Sequence, residues 1–481
     1  MPPSAREHAA SVRTPSEEQW LRVSEYLRRE RFSLAVDAAR GYPDADRLAG
    51  TPLLSAAAWR LPAPVPLASI RLEFTPGAPP PVLPDVASVA PFALPTRADG
   101  RRYHRYCDVI ESLAPPAVFE NRPIYRLVAA GLAGPDPWLG FARGRFFDGV
   151  NVGGPAGFEY AAAALGVTDR CRYRDAFGDP TNLNVRSSAM ATSALTLRYD
   201  RATGTATFPM HYRDPALVGH AGGLYQVIPV GIFQPSGEAS WNEANDFDLW
   251  RGLLREYAEE LLGASEEYGS EDAPIDYAAW PLARAMTDAL ATGQLRAWCL
   301  GLGTDPLTFA MDLLAVVVID APLYDELFGG LVAGNAEGRV IAPRPFDEGA
   351  VKELTTRAPL QAAAAALLTL AHEHRDVLLA LQIGQLLLDR ADDRGVAGVA
   401  GVVEQAKGVS QAERGLQRTG VGVQAPCPRV RMPAARPEAA EVAAAAAPQP
   451  GAPLAEVEVP ERVIDAGRLP VNDAGELAVV G

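Results

Sequence analysis

The chain has 481 residues, of which 48% are hydrophobic and 21% are charged, and its formal net charge is −15. This length exceeds that of one ordinary small domain and predicts either two domains or one domain with long extensions. The acidic balance argues against a duplex nucleic acid as partner, because proteins that bind one usually present a basic face. The same balance suits a site that concentrates divalent cations.

Four cysteines are widely separated and form no CxxC pair: Cys107, Cys171, Cys299 and Cys427. This usage argues against a disulfide framework or a zinc site and favours a reducing compartment. The N-terminus has no basic-then-apolar signal pattern, and no apolar run reaches membrane-spanning length. We therefore predict a cytoplasmic protein with no membrane partner.

Three regions differ in composition. Residues 1–104 combine a predicted helix at 16–39 with a Pro-rich stretch at 60–99, which favours extended chain. Residues 105–385 carry interleaved strand and helix patterns and form the predicted main domain. Residues 386–481 are rich in Ala, Pro and Gly, so we predict a mostly disordered tail that is a candidate site for a protein partner.

The main domain is predicted to alternate between strands and helices. Glycines between residues 140 and 154 indicate an ordered, turn-rich loop, and the basic run Gly140–Arg145 within it is a structural turn or a phosphate contact. Such interleaving favours a mixed α/β fold with helices on both faces of a sheet. In chain order the elements are a strand at 124–130, a helix at 155–165, a hairpin of 194–199 and 205–212, a strand at 225–233, helices at 246–262 and 277–291, strands at 295–302 and 308–319, and helices at 321–328, 347–357 and 359–381.

The helix at 246–262 carries an unusual cluster of acidic residues. Glu256, Glu259 and Glu260 stand at positions i, i+3 and i+4, so all three carboxylates are predicted to project from one side. Like charges at this spacing repel each other, whereas a bound Mg²⁺ or Mn²⁺ would make the cluster favourable. A solvated acidic helix face is the alternative interpretation.

The order of motifs around this helix resembles the Nudix hydrolase superfamily, in a divergent form like that of some actinobacterial proteins. The run Arg255-Glu256-Tyr257-Ala258-Glu259-Glu260-Leu261 is similar to the R-E-U-x-E-E part of the Nudix signature, in which U is a bulky aliphatic residue. The segment from Gly231 to Glu238 is similar to the glycine-to-glutamate part that precedes it. Sixteen residues separate Glu238 from Arg255, where the signature has seven, so this chain carries an insertion of nine.

The resemblance implies a fold, a cofactor and a reaction. It implies a Nudix-like α/β/α sandwich with a mixed sheet, in which Glu256, Glu259 and Glu260 bind Mg²⁺ or Mn²⁺ and Arg255 orients a glutamate. The implied reaction is metal-assisted hydrolysis of a nucleoside diphosphate linked to another group. From charge and loop setting we predict that Arg143, Arg145 and Arg213 contact phosphate.

Two other functions stay open. One is a Nudix-derived domain that senses a nucleotide-like molecule without hydrolysing it, a reading favoured by the insertion and the long tail. The other is a protein-interaction module, since a fold alone does not choose between functions. The histidine pairs His211 with His220 and His372 with His374 are interpreted as structural or surface residues.

Overall fold

A computed structural model describes residues 13–213, 222–265, 268–329, 334–335 and 338–380. The predicted disordered tail, Cys427 and His220 lie outside these residues.

Thirteen α-helices lie in the described part of the chain. They are α1 (Pro15–Arg29), α2 (Arg31–Arg40), α3 (Val86–Val89), α4 (Tyr106–Leu113), α5 (Phe146–Ala164), α6 (Arg172–Phe177), α7 (Asn242–Asn245), α8 (Leu249–Glu256), α9 (Pro281–Thr292), α10 (Ala321–Phe328), α11 (Glu348–Arg357), α12 (Ala362–Glu373) and α13 (Arg375–Leu379).

Twelve β-strands lie in the same described ranges. They are β1 (Arg60–Pro66), β2 (Arg71–Phe74), β3 (Pro123–Gly131), β4 (Trp138–Arg145), β5 (Met190–Asp200), β6 (Thr205–Arg213), β7 (Tyr225–Gln226), β8 (Val230–Ile232), β9 (Leu295–Thr304), β10 (Met311–Asp320), β11 (Gly334–Asn335) and β12 (Gly338–Pro345).

The strands form one large sheet and one small sheet. The large sheet has the order β1-β9-β10-β5-β6-β12-β11, and β7 and β8 pair with β6 and β5. Strand β10 is parallel to β5 and antiparallel to β9, so the sheet is mixed. The small sheet has the order β2-β4-β3. The predicted mixed α/β fold is confirmed.

The centre of the large sheet is covered on both faces. Every residue of β10 is buried, and its side chains alternate between two cores. Leu313, Ala315 and Val317 pack in the core that contains α8 and α9. The intervening Leu314 and Val316 pack in the core that contains α12. Burial on both faces explains the nearly continuous apolar run of this strand.

Residues on both sides of the expected boundary at residue 104 share sheets and a core. Strand β1 pairs with β9, and β2 pairs with β4. Trp20 of α1 stacks on Phe158 of α5 with ring centroids 5.6 Å apart. The predicted helix at 16–39 is present as α1 and α2, which meet at Glu30.

The predicted glycine-rich loop at residues 140–154 was wrong. This segment is the end of β4 followed by the first half of α5. The glycines serve close packing, because a β-carbon on Gly153 would lie 2.3 Å from the Thr308 carbonyl oxygen. A β-carbon on Gly154 would lie 2.4 Å from the ring of Tyr106. At Gly153 and Gly154, a larger side chain would collide with neighbouring elements, so close packing and not turn geometry requires glycine.

Two further sequence expectations concern cysteines and membranes. Cys107, Cys171 and Cys299 are free thiols. In the ranges that the structure covers, no helix is both long enough and apolar enough to cross a membrane.

A buried carboxyl group interrupts the apolar pattern of β10. Asp312 is 2% exposed and accepts a hydrogen bond from Ser193 Oγ on β5 at 2.8 Å. Burial raises the pKa of Asp312 to about 7, while the Ser193 hydrogen bond partly opposes the shift. The folded protein therefore holds this proton at a pH where the unfolded chain has lost it.

Asp312 makes the free energy of unfolding depend on pH in a defined window. Below about pH 4 the group is protonated in both states, and its favourable contribution is complete. Between about pH 4 and pH 7 the free energy of unfolding falls by about 1.4 kcal/mol per pH unit because only the unfolded state ionises. Above pH 7 both states are ionised and the loss is complete.

Asp312→Asn should remove this pH dependence, because the amide oxygen still accepts from Ser193 and the side chain does not ionise. Urea unfolding at pH 5 and pH 8 should show the variant gaining about 2–3 kcal/mol relative to wild type between the two pH values. Asp288→Asn, at an exposed position on α9, is the control. Identical pH profiles for Asp312→Asn and wild type would contradict this account.

Candidate functional site

The acidic helix begins at an aspartate cap and ends in a wider turn. The side chain of Asp248 accepts a hydrogen bond from the Arg251 amide at the start of α8. Residues Tyr257–Leu261 then form a π-helical turn, and Gly263 follows with a φ of 69°. The opposite side of the helix is apolar, with Leu253 and Tyr257 buried in the core that also contains α9.

Arg255 is the buried anchor of this helix. It is 5% exposed, and its Nη2 donates to the Gln234 carbonyl oxygen at 2.6 Å. Its Nη1 lies 3.6 Å from Asp246 Oδ2. Burial opposes the charged guanidinium, but Tyr277, Asp246 and two glutamates outweigh burial and raise the pKa of Arg255. The guanidinium therefore joins α8 to the loop after β8.

Asp246, which lies in the segment between Glu238 and Arg255, completes the anchor. It is fully buried. Its Oδ2 accepts from the Ser236 amide at 2.7 Å and its Oδ1 accepts from the Tyr277 hydroxyl at 2.9 Å. This segment thus supplies the carboxylate that balances Arg255.

The three glutamates of the acidic cluster do not share one location. Glu256 and Glu259 are half-buried and line a small cleft, whereas Glu260 is 5% exposed and lies on the inner side of the helix. Glu260 Oε1 accepts from the Val230 amide at 3.0 Å, and its Oε2 lies 4.0 Å from His211 Nδ1. Among the described residues, no group of three or more His, Cys, Asp or Glu is arranged to hold a metal ion.

The cleft beside Glu256 and Glu259, here called the glutamate cleft, encloses about 20 Å³. This is room for about one water molecule or ion. The cleft is lined by Arg122, Gln234, Pro235, Ser236, Arg255, Glu256, Glu259 and Tyr268.

Two contacts fix the glutamates at the cleft. A β-carbon on Gly231 would lie 1.8 Å from Glu256 Cδ, so only glycine leaves room for this carboxylate. The Tyr268 hydroxyl donates to Glu259 Oε1 at 2.6 Å. Burial and the negative charge of Glu259 raise the pKa of Tyr268, so the tyrosine stays a donor.

Two residues that line the cleft each carry a buried polar atom without a partner. Within the part of the chain that the structure describes, Arg255 Nε and Ser236 Oγ have no hydrogen-bond partner. Buried polar groups are usually bonded to protein or to ordered water.

The arginines predicted to contact phosphate lie outside the cleft. Arg143 Nε and Nη2 pair with Glu243 at 2.6 and 2.7 Å. Arg145 Nη1 pairs with Glu238 Oε1 at 2.5 Å. Arg213 ends β6, where its backbone pairs with Gly338. None of the three lines the cleft.

Sequence reasoning missed Arg122 and Tyr268, which do line the cleft. Arg122 comes from the segment before β3, and its Nε donates to Glu120 Oε2 at 2.8 Å. Tyr268 lies seven residues after Leu261 in the sequence. Its closeness to the glutamates of the acidic helix is the one sequence signal that could have identified it. Arg122 had no such local signal.

Asp246→Ala should destabilise the protein more than Asp248→Ala, although the two aspartates are two residues apart. Removing Asp246 leaves the buried guanidinium of Arg255 without its carboxylate, at a cost of about 3 kcal/mol or more. Removing Asp248 deletes a helix cap, at a cost of about 1 kcal/mol. Equilibrium unfolding in urea measures both; equal costs would refute the anchor role of Asp246.

Comparisons with known proteins do not assign the chain to a family. No family model matches it, and no curated protein matches it. A crystal structure of a NUDIX hydrolase from Alicyclobacillus acidocaldarius is similar at 16% sequence identity, with a TM-score of 0.23; the match covers 40% of this chain and 96% of the other. A TM-score of this size carries no argument about fold or activity.

Proposed function

We propose that the glutamate cleft is a Nudix-like site that binds Mg²⁺ or Mn²⁺ together with the diphosphate of a nucleotide-like molecule, and that it hydrolyses the phosphoanhydride. One observation carries the proposal. Glu256 and Glu259 line the same small space as Arg122 and Arg255. Carboxylates suit a hard cation, and guanidinium groups suit phosphate oxygens.

The donor set fits a magnesium site of a particular kind. Mg²⁺ is usually held by one or two carboxylates, with water and substrate phosphate completing its shell. Glu256 and Glu259 supply two carboxylates. Glu260 was predicted as a third ligand, but it accepts a hydrogen bond from the Val230 amide. In this proposal it positions β8 against the helix.

The charges of the cleft favour joint binding of cation and anion. Two glutamates and two arginines line it, and the arginines also pair with Asp246 and Glu120 at its edges. The glutamates suit a cation and the arginines suit an anion, so a cation that arrives with a diphosphate meets both charge types. Each partner should therefore raise the affinity of the other by the same factor.

The reaction would divide its tasks among the lining residues. When bound, the cation would polarise the phosphoryl group and activate water. Glu256 and Glu259 would hold the cation, and one of them would accept the proton of the attacking water. Tyr268 would keep Glu259 oriented through its short hydrogen bond. Arg122, whose side chain is 37% exposed, would meet the phosphate at the cleft mouth.

A second candidate is a sensor that binds the same ligand without hydrolysing it. The inward position of Glu260 favours it, because only two carboxylates are left at the cleft. This protein would bind metal and diphosphate and report their presence through its insertion or tail.

A metal-dependent screen of nucleoside diphosphate derivatives tests the proposal. Wild type should release products only with Mn²⁺ or Mg²⁺, and Glu256→Gln or Glu259→Gln should lower the rate by about a hundredfold, the scale of lost acid–base or metal-ligand function. Glu326→Gln, an exposed position on α10, is the matched control and should retain the wild-type rate.

Thermal unfolding with the same ligands separates the two candidates. Cation and diphosphate together should stabilise wild type, by about 2.7 kcal/mol at a hundredfold excess over the dissociation constant. Stabilisation without product would favour the sensor. Stabilisation of equal size in wild type, Glu256→Gln and Glu259→Gln would refute the cleft as the binding site.

A further inference from the structure

The inserted segment between the cleft and α8 carries two glutamates that face the small sheet. This segment, residues 238–247, is here called the acidic strap. Glu238 begins it, and Glu243 lies within α7. Glu238 pairs with Arg145 and Glu243 pairs with Arg143. The strap therefore pairs with two of the three arginines predicted to contact phosphate.

Arg143 and Arg145 lie on the same face of β4, here called the arginine face. They are two residues apart on β4, so their side chains project from the same face of the strand. Arg143 binds Glu243 with two parallel N–H···O contacts of 2.6 and 2.7 Å. Phosphate accepts the same forked geometry from arginine as carboxylate does.

The ion pairs are exposed enough to be exchanged. The side chains of Arg143 and Arg145 are 65% and 47% exposed, that of Glu238 is 58% exposed and that of Glu243 is 28% exposed. Exposed ion pairs add little stability, and of these two pairs the forked Arg143–Glu243 pair is the stronger. A dianionic phosphate that offers more charge and more oxygens can take the place of the carboxylates.

The arginine face adjoins the mouth of the glutamate cleft. Arg145 Nη1 also donates to the Asn121 carbonyl oxygen at 3.1 Å, next to the cleft residue Arg122. On the other side, Glu238 lies two residues after Ser236, which lines the cleft. A ligand whose one phosphate reaches the cleft can place another on this face.

The backbone of the strap is firmly held, so the exchange concerns side chains. Asn242 is fully buried and donates to the Ser270 carbonyl oxygen at 2.9 Å, as does Trp241 Nε1. Asp246 is held by Ser236 and Tyr277. Rotation of two glutamate side chains frees both arginines without moving these anchors.

We propose that Glu238 and Glu243 are built-in competitors for an anion subsite formed by Arg143 and Arg145, and that a polyphosphate displaces them when it binds. The inference rests on the proposed function, in which the adjoining cleft takes a diphosphate. Anions of single charge do not displace the glutamates, so the pair selects for ligands with several phosphate charges.

Calorimetric titration with inorganic pyrophosphate and Mn²⁺ tests this inference. Glu238→Gln/Glu243→Gln should bind pyrophosphate about fivefold more tightly than wild type, the scale of two exposed ion pairs. Adding Arg143→Gln and Arg145→Gln to that variant should abolish the gain. Inorganic phosphate should bind weakly to wild type and more tightly to the glutamine variant.

The matched control is Asp325→Asn/Glu353→Gln. This variant changes the net charge by the same amount and frees Arg198 and Arg344, whose ion pairs lie elsewhere on the surface. Its affinity for pyrophosphate should therefore equal that of wild type.

Equal affinities for the control and Glu238→Gln/Glu243→Gln would overturn the inference. If pyrophosphate binding depends on Glu259 but not on Glu238 and Glu243, the competitor role alone fails. If no variant binds pyrophosphate, the proposed function fails with it.

Discussion

The buried guanidinium of Arg255 is the constraint on which the candidate site depends. It joins three parts of the chain that are separate in sequence: the loop after β8 through Gln234, the inserted segment through Asp246, and helix α8 itself. A charge this deeply buried is tolerated only with such partners. Because those partners fix the helix against the loop, they also fix the width of the glutamate cleft.

Two carboxylates of the acidic cluster face the cleft and one does not. In a regular α-helix, residues at i, i+3 and i+4 share one side. At the wider turn of Tyr257–Leu261, Tyr257 and Glu260 lie inward, where the Tyr257 hydroxyl meets Thr196 at 2.8 Å and Glu260 accepts from the Val230 amide. Two carboxylates remain at the cleft, and π turns often occur at functional sites. The same local geometry thus stabilises the core and shapes the site.

The sequence predicted the elements whose signals are local. The helix that contains α8, the strand β10 and the hairpin of β5 and β6 each carry their own pattern, and each is present. Features that depend on contacts between distant segments were not predictable. The glycines of α5 resemble a loop in sequence because their packing partners, Thr308 and Tyr106, are far away along the chain. Arg122 reaches the cleft only because β3 packs beside the loop after β8, and Arg143 pairs with a glutamate a hundred residues away.

The segment from Glu238 to Arg255 therefore contributes directly to the candidate site. Its buried Asp246 balances Arg255, and Glu238 and Glu243 pair with the arginines of β4. The most direct test is anomalous diffraction from crystals grown with Mn²⁺ and a nucleoside diphosphate. The account predicts a manganese peak about 2.1 Å from carboxylate oxygens of both Glu256 and Glu259, with a phosphate oxygen in the same shell. A manganese peak elsewhere, with the glutamate cleft holding only water, would contradict it.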